Sequence, residues 1–519
     1  MVPKTDKANI LLFCVDAMRA SWMACAGDSL IHTPNLDRLA SSGVRFARAY
    51  CNHPICIPAR TTMFTGLLPR DHGVWSNNME MHPRVPTLPK LMQEAGYYTH
   101  AVGKLHLSRW IPIGVADDGR YPESMSAWNE GRLYTFPTPY YGFDGVDFVG
   151  GHTSFIYGPY VKWLEKEFAD GHRLLRPEGA RPDTPHTSQY YSMGLPEEMH
   201  YNRWIADRAI AAMHQARHLD KPFFIWCSFP DPHPPFSAPY PYSAMYDPQD
   251  MPPPVRREGE LASLPQFYQE LYRQNMDCYG IKGGPLAEED RRWMLALSYG
   301  MVSHVDVQIG RVLDYLQTEG LWEHTAVGFI SDHGSDMLGD HWMQSWGSYA
   351  FEPAIRIPFL LRLPGGSEGT VHDGIASQVD LMPTILEICG LVHPDARALS
   401  QAEAPFHYGQ WRSLRLLPGR SLLPILSGSQ EPVNASAVIH NDEPFLGFKA
   451  RTFVTKRFKL TVYGSEGSGE LFDLENDPDE LHNLWDVPEL RELKEQLHME
   501  LLKQDLQLAP WHPLPRWSA

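Results

Sequence analysis

Cys51-Asn52-His53-Pro54-Ile55-Cys56-Ile57-Pro58-Ala59-Arg60-Thr61-Thr62-Met63-Phe64-Thr65-Gly66 is the stretch from which the rest of the chain can be placed. Pro58 suits the first turn of a helix, where its missing N–H costs nothing. Thr61 to Thr65 can continue that helix, and Gly66 is a natural stop. Cys56 is therefore expected just ahead of a helix N-terminus, where free N–H groups and the helix dipole favour an anion. Arg60 follows one turn on and can return its guanidinium to the same spot. A cysteine so placed is either a partly buried structural thiol or a nucleophile in a site that already holds positive charge.

Around this helix the chain alternates strand and helix. Ile10 to Val15 is an apolar run of strand length that ends at Asp16. Thr33-Pro34 opens a short helix through Leu36, Leu39 and Ala40, closed by Gly43. Thr87 opens another through Leu88, Leu91 and Met92, ending at Gly96. Tyr98 to Val102 then reads as a strand, followed by Gly103-Lys104-Leu105-His106. Such alternation predicts βαβ units and a parallel sheet. Ser108 to Pro196, rich in Gly, Pro and aromatic residues, is predicted as long loops and insertions over that sheet.

Glu198 to His218 is a helix with Trp204, Ile205, Ala209, Ile210 and Met213 on one stripe. Pro222 to Phe229 is a buried strand running into Pro230-Asp231-Pro232-His233-Pro234-Pro235, which can be neither helix nor sheet. Glu288 to Thr318 is the longest helical pattern, and Thr325 to Ser331 a strand that leads to Asp332-His333-Gly334. A further strand is expected at Ile357 to Leu361 and a short helix at Asp380 to Cys389. Beyond residue 430 short antiparallel strands are expected at Ala435 to His440, Thr452 to Val454, Lys459 to Val462 and Glu470 to Phe472. Pro488 to Leu506 is an amphipathic helix on them. The tail from Gln507 carries two Trp and three Pro and is expected to pack, with a second subunit of a homo-oligomer as one surface. The chain is thus read as α/β. Residues 1–430 hold a large, mostly parallel sheet flanked by helices, and residues 431–519 a smaller α+β unit on a short antiparallel sheet.

At 519 residues the chain can bury a large core, and its 43% apolar and 21% charged content is that of a globular enzyme. A net charge of −17 argues against nucleic acid or an anionic membrane as partner. An anionic substrate must then be drawn by local positive charge. The seven cysteines are odd in number and scattered, without zinc or disulfide spacing. No apolar run is long enough to cross a bilayer, and the expected location is cytoplasmic.

Asp16, His106, His233 and the pair Asp332-His333 each follow an expected strand, and ligands of open parallel sheets bind beyond the strands' carboxyl ends. Asp16, Asp332 and His333 offer two hard carboxylates and an imidazole to a cation. For any one of these residues a merely solvated or capping role is an even alternative; for all together it is a poor one.

Cys56, Pro58, Arg60, Thr65 and Gly66 match the signature of the type I sulfatases in the alkaline phosphatase superfamily: Cys or Ser, any residue, Pro, any residue, Arg, and soon Thr-Gly. Glu470-Leu471-Phe472-Asp473-Leu474-Glu475-Asn476-Asp477-Pro478 resembles that family's C-terminal signature, so the resemblance runs from Asn9 to about Trp485. It lies close to the branch of arylsulfatases and phosphonate monoester hydrolases. The resemblance implies an alkaline phosphatase-like fold and a Cys56 oxidised to formylglycine by a maturation enzyme. One hydroxyl of the aldehyde hydrate attacks sulfur, and the second then ejects sulfate. It also implies a divalent metal on Asp16, Asp332, His333 and the converted Cys56, calcium first and manganese as alternative. Arg60, Lys104, His106 and His233 match positions that stabilise the hydrate, bind sulfate oxygens and assist the leaving group, with Lys104 or His233 as general acid. Asn78 offers a polar contact to substrate.

Two departures stand out. The usual second acidic ligand beside Asp16 is Ala17, a change shared with phosphonate monoester hydrolases, which can also carry His at the position of His333. The segment Leu338 to Gly347 resembles a motif that normally carries a sulfate-binding Lys near Trp346, yet no Lys or Arg lies between His341 and Ile355. Trp346 could instead stack on a sugar or aromatic ring of the substrate. The expected reaction is hydrolysis of an alkyl, aryl or sugar sulfate monoester. A phosphonate monoester or phosphodiester hydrolase is the near alternative. A catalytically lapsed binding protein is the alternative from another class.

Overall fold

In a computed structural model of the chain the run Asn9–Val15 forms strand β1 of an eight-stranded sheet. The structure describes residues 7–111, 119–182, 185, 187–273, 277–278, 281–282, 285–344, 349–391, 417–443, 449–464 and 467–507. The other strands of this sheet are β2 (Val44–Tyr50), β3 (Tyr98–Gly103), β4 (Gly145–Phe148), β5 (Phe223–Phe229), β8 (Thr325–Ser331), β9 (Phe359–Arg362) and β10 (Thr370–Ser377). Between β5 and β8 lies the two-residue pair β6 (Asp277–Cys278) and β7 (Ile281–Lys282). The order across the large sheet is β10-β2-β9-β8-β1-β5-β3-β4. Only β9 runs against its neighbours. The mostly parallel sheet expected from the sequence is present.

Both faces of the sheet are covered, so its inner strands read as continuous apolar runs and not as alternating ones. Ile10, Leu12 and Cys14 of β1 pack on one face with Ile57, Met63 and Phe64 of the Cys56 helix and with Leu88 and Leu381. Leu11, Phe13 and Val15 pack on the other with Leu36 and Leu39, with Ile205 and Ala209 of the helix Tyr201–His218, and with Val305 and Ile309 of Glu288–Thr318.

Register brings the strand ends level. Val15 pairs with Phe229 and with Ser331, and Gly103 pairs with Ser228. The residues that follow β1, β3, β5 and β8 therefore emerge along one edge. From β1 the chain passes to β2 on one side and then to β3 on the other, which makes β1 the switch point where such sheets bind ligands. Gly103 is required here: a Cβ at that position would lie 1.8 Å from the Ser228 carbonyl oxygen, and φ is +87°. The same approach lets Lys104 N–H donate to Ser228 O at 3.0 Å.

Three strands of the large sheet escape the sequence pattern. β2 interleaves Arg45 and Arg48 with apolar residues, and Arg48 binds Asp373 on the neighbouring β10 at 2.8 Å. β10 is an edge strand with half its side chains polar, and β4 is an edge strand of four residues. The region from Ser108 to Pro196 is accordingly not loops alone: besides β4 it holds the helices Met125–Asn129, Pro159–Glu167 and Gly171–Leu174. At the C-terminal end β11 (Ser436–Asn441), β12 (Ala450–Thr455), β13 (Phe458–Tyr463) and β14 (Gly469–Asp473) form a sequential antiparallel sheet. Leu497 and Leu501 of the helix Arg491–Gln507 pack on its Val438, Phe453, Leu460 and Leu471. The tail beyond residue 507 lies outside the described residues. Among those described, no helix is long and apolar enough to cross a membrane.

Candidate active site

The helix expected around Pro58 runs Cys56–Thr65, with Ile55 as its extended N-cap and Gly66 at φ +64° closing it. Cys56 is thus the first helical residue and not the one before. Its Sγ lies 3.2 Å from His333 Nε2, 3.7 Å from Asp16 Oδ1 and 4.0 Å from Lys104 Nζ. One ligand atom from each of Asp16, Cys56, Asp332 and His333 falls within 4.8 Å of the others, and all four residues are buried.

The acidic side of this cluster is tightly tied. Asp332 Oδ1 accepts the N–H groups of Ala17 at 3.1 Å and His333 at 2.9 Å, and its Oδ2 accepts Arg60 Nε at 2.8 Å. Arg60 is fully buried and also donates to Ser228 Oγ at 2.9 Å and Lys104 O at 3.1 Å. It ties the end of β5 to the loops after β3 and β8. Asp16 Oδ2 accepts Lys104 Nζ. Burial opposes the ionisation of Asp16, yet Lys104, His233, Arg60 and His152 together hold its carboxyl well below the usual range.

These residues suit a divalent cation. His333 Nδ1 donates to Gly334 O at 2.7 Å, which leaves Nε2 as the lone-pair nitrogen of the neutral ring. Two carboxylates and that nitrogen converge beside Cys56. Ala17, at φ +62°, contributes only its N–H. The Cys56 thiol itself is pushed well above its ordinary pKa by burial, then by Asp16, with Lys104 acting the other way. Positive charge at a helix N-terminus does not make this sulfur a thiolate.

The other side of the cleft carries cations and imidazoles. Lys104 and His106 follow β3, His152 follows β4, and His233 follows β5. The His106 main-chain N–H donates to Glu123 Oε2 at 2.6 Å and that of Leu107 to Oε1 at 2.8 Å, which fixes a turn where His106 has φ +57°. Glu123 also accepts the Tyr140 hydroxyl at 2.8 Å, and burial lifts its pKa to about 7. His233 Nδ1 donates to Pro234 O at 2.7 Å, and its ring lies flat on that of His152, centroids 3.6 Å apart and planes at 6°. Burial lowers the pKa of His233 to about 3, Asp16 acting the other way.

Asp16, His106, His233, Asp332 and His333, at the strand ends, lie in one neighbourhood with Lys104 and with Cys56 and Arg60 of the helix. Asn78 is not shown in it: its Oδ1 accepts Ile111 N–H at 3.3 Å, while the adjacent Asn77 Oδ1 accepts Ile57 N–H at 3.1 Å. Trp346 lies outside the described residues. Sequence reasoning missed His152 and Glu123, both in the stretch read as loops. The run Gly145 to Val149 ahead of Gly150-Gly151-His152 was the available signal for a strand end.

A second group, His200, Asp231 and His304, is also buried and close-set. His200 Nδ1 accepts Asn202 N–H at 3.2 Å, so the proton of the neutral ring sits on Nε2 and leaves no lone pair there for a metal. The group anchors the His233 loop instead. Asp231 accepts the Tyr201 hydroxyl and Asn202 Nδ2, and its main-chain oxygen accepts Asp16 N–H.

Residues 8–391 match the Sulfatase family model, and residues 415–507 that of the N-sulphoglucosamine sulphohydrolase C-terminal region. The chain belongs to the sulfatase family. An arylsulfatase of Clostridium perfringens is 28% identical over 519 residues, 96% of this chain and 94% of its own length. The multifunctional alkaline phosphatase superfamily protein PehA of Trinickia caryophylli is 30% identical over 439 residues, covering 81% and 77% respectively. The solved phosphonate monoester hydrolase of Agrobacterium radiobacter is 27% identical, with a TM-score of 0.78 over 96% of both chains. The protein is an enzyme of the sulfuric ester hydrolase class. Sulfatases generally use a metal ion and formylglycine, and the Asp16, Cys56, Asp332 and His333 group offers a site for such an ion.

Proposed function

We propose that the protein hydrolyses a sulfate monoester to alcohol and sulfate, with residue 56 acting as formylglycine beside a divalent metal held by Asp16, Asp332 and His333. The observation that carries this reading is the place of Cys56 Sγ, in reach of two of the three proposed metal ligands, Asp16 and His333, and of Lys104. Burial makes a plain thiol a poor nucleophile at this spot, whereas a hydrated aldehyde needs no ionised sulfur. Formylglycine, made by a maturation enzyme, supplies one hydroxyl for attack and a second for release of sulfate. A divalent metal held by Asp16, Asp332 and His333 would neutralise charge on the sulfuryl oxygens. Calcium is the first expectation. Ala17 offers it no side-chain oxygen, which loosens calcium and favours manganese, a metal that accepts imidazole readily.

The chain's own residues do the rest. Arg60 holds Asp332 and the Lys104 loop in place. Lys104, bound to Asp16, places an ammonium beside the sulfuryl group. That tie to the metal side leaves His233 as the residue for the leaving oxygen. Its Nδ1–H is committed to Pro234 O, so Nε2 is the atom that delivers a proton, which it gains once the anionic ester raises its basicity.

A second reading, a phosphonate monoester or phosphodiester hydrolase, is favoured by Ala17, His333 and the likeness to the Agrobacterium radiobacter enzyme. Matched aryl sulfate and aryl phosphonate esters separate the two. A kcat/KM for the sulfate at least about tenfold above that for the phosphonate is expected. The reverse order would favour the second reading.

A further inference from the structure

A sulfuryl group offers charged non-bridging oxygens, and each needs a donor on the protein. Among residues 342 to 354 there is no Lys or Arg to supply one from the loop after β8. On the opposite wall His152 stands in a loop that is fixed at several points. Gly150 and Gly151 precede it, and a Cβ at Gly151 would lie 2.0 Å from Phe155 O. Thr153, at φ +44°, binds the Pro235 carbonyl at 2.9 Å and the His233 carbonyl at 3.4 Å through its Oγ1. The His152 ring is clamped flat against His233. Its Nε2 is buried without a hydrogen-bond partner among the described residues and sits 4.0 Å from Asp16 Oδ2. It lines the same small cavity as Lys104 and His106.

A buried ring nitrogen held this firmly without a partner among the described residues costs free energy until something bonds it. We propose that His152 is a substrate-binding residue whose Nε2–H donates to a non-bridging oxygen of the bound ester, taking the place of the cation missing from the loop after β8. The stack leaves the ring one in-plane direction for that bond and places it next to the proton-delivering His233. This rests on the hydrolase reading above.

The test is a pair of variants. His152→Phe keeps the ring stacked on His233 but has no donor, and His152→Asn keeps a donor without the stack. Each is checked for folding by thermal unfolding. For His152→Phe we expect kcat/KM for an aryl sulfate to fall about a hundredfold, the scale of one lost oxyanion donor. For His152→Asn a fall of about tenfold or less is expected. Inorganic sulfate, titrated calorimetrically into the unconverted Cys56 protein with calcium present, should bind about tenfold more weakly to His152→Phe. Wild-type catalysis and sulfate affinity in His152→Phe would overturn the inference. So would equal catalytic losses in both variants with sulfate affinity unchanged, which would make the ring a spacer for His233. Absence of any ester turnover by the wild type would instead remove the hydrolase reading, while the sulfate titration would still report on His152.

Discussion

On the β8 side of the cleft every oxygen of Asp332 is engaged, by two main-chain N–H groups and by Arg60 Nε at 2.8 Å. On the β3–β4 side His106 Nδ1 and His152 Nε2 are buried without a hydrogen-bond partner among the described residues. In this first half the Asp332 carboxylate is fully held before anything binds, as suits a metal ligand that must be preorganised. The second half is left incomplete, as suits a surface whose missing partners arrive with the substrate. Substitutions in the first half should therefore cost metal and fold together with activity. Those in the second half should cost activity and anion binding while the protein stays folded.

The largest effect is expected at Cys56, where the two halves meet. Cys56→Ala should lower kcat by about ten-thousandfold or more. Loss of one small side chain should cost folding only about 1 kcal/mol, so the urea midpoint should barely move. Substantial residual turnover would place the nucleophile elsewhere. Next comes Asp332→Ala. Removing it takes a carboxylate from the proposed metal and leaves buried Arg60 without its closest anion, which costs about 3 kcal/mol or more. We expect loss of bound metal by elemental analysis, a fall of about a thousandfold in kcat and a lowered urea midpoint. Full metal occupancy would break the assignment. His152→Phe, with its expected hundredfold loss and intact fold, is the counterpart from the other half.

The smallest effect is expected at Glu123, which touches the main chain of the His106 turn. Its pKa is about 7 in the folded chain against 4.5 as the ordinary value, because burial disfavours the carboxylate. The folded state therefore binds the extra proton between those two values. This contribution to stability is complete below pH 4.5 and is lost as pH rises through 7. Urea unfolding at pH 5 and pH 7.5 should show a smaller difference for Glu123→Gln than for wild type. The same variant should lose about tenfold in kcat/KM through a looser His106 turn. An unchanged pH difference would contradict the role assigned to burial.

The first half was the part legible in the sequence. Asp16 and Asp332-His333 directly follow seven-residue apolar strands, β1 and β8, that run through the core of the sheet. Cys56 is marked by Pro58 and Gly66, whose backbone limits delimit its helix. His152 follows β4, four residues at the sheet edge with three only half-buried, and a strand that short leaves no period to read. Glu123 comes to His106 through tertiary packing across a stretch without regular pattern. Arg60 was visible as a cation near Cys56, but only the structure shows it buried against Asp332 and Ser228. Where a residue acts from the end of a long core strand the sequence announces it; where an edge strand or a loop brings it in, packing decides.

The most direct measurement is a peptide mass spectrum across residue 56 from protein made together with a formylglycine-generating enzyme, set beside turnover of an aryl sulfate. The expected result is a peptide in which the Cys56 sulfur and two hydrogens are exchanged for one oxygen, in a fraction that rises in proportion to kcat. An enzyme fully active on the sulfate ester with residue 56 present only as thiol would contradict the account.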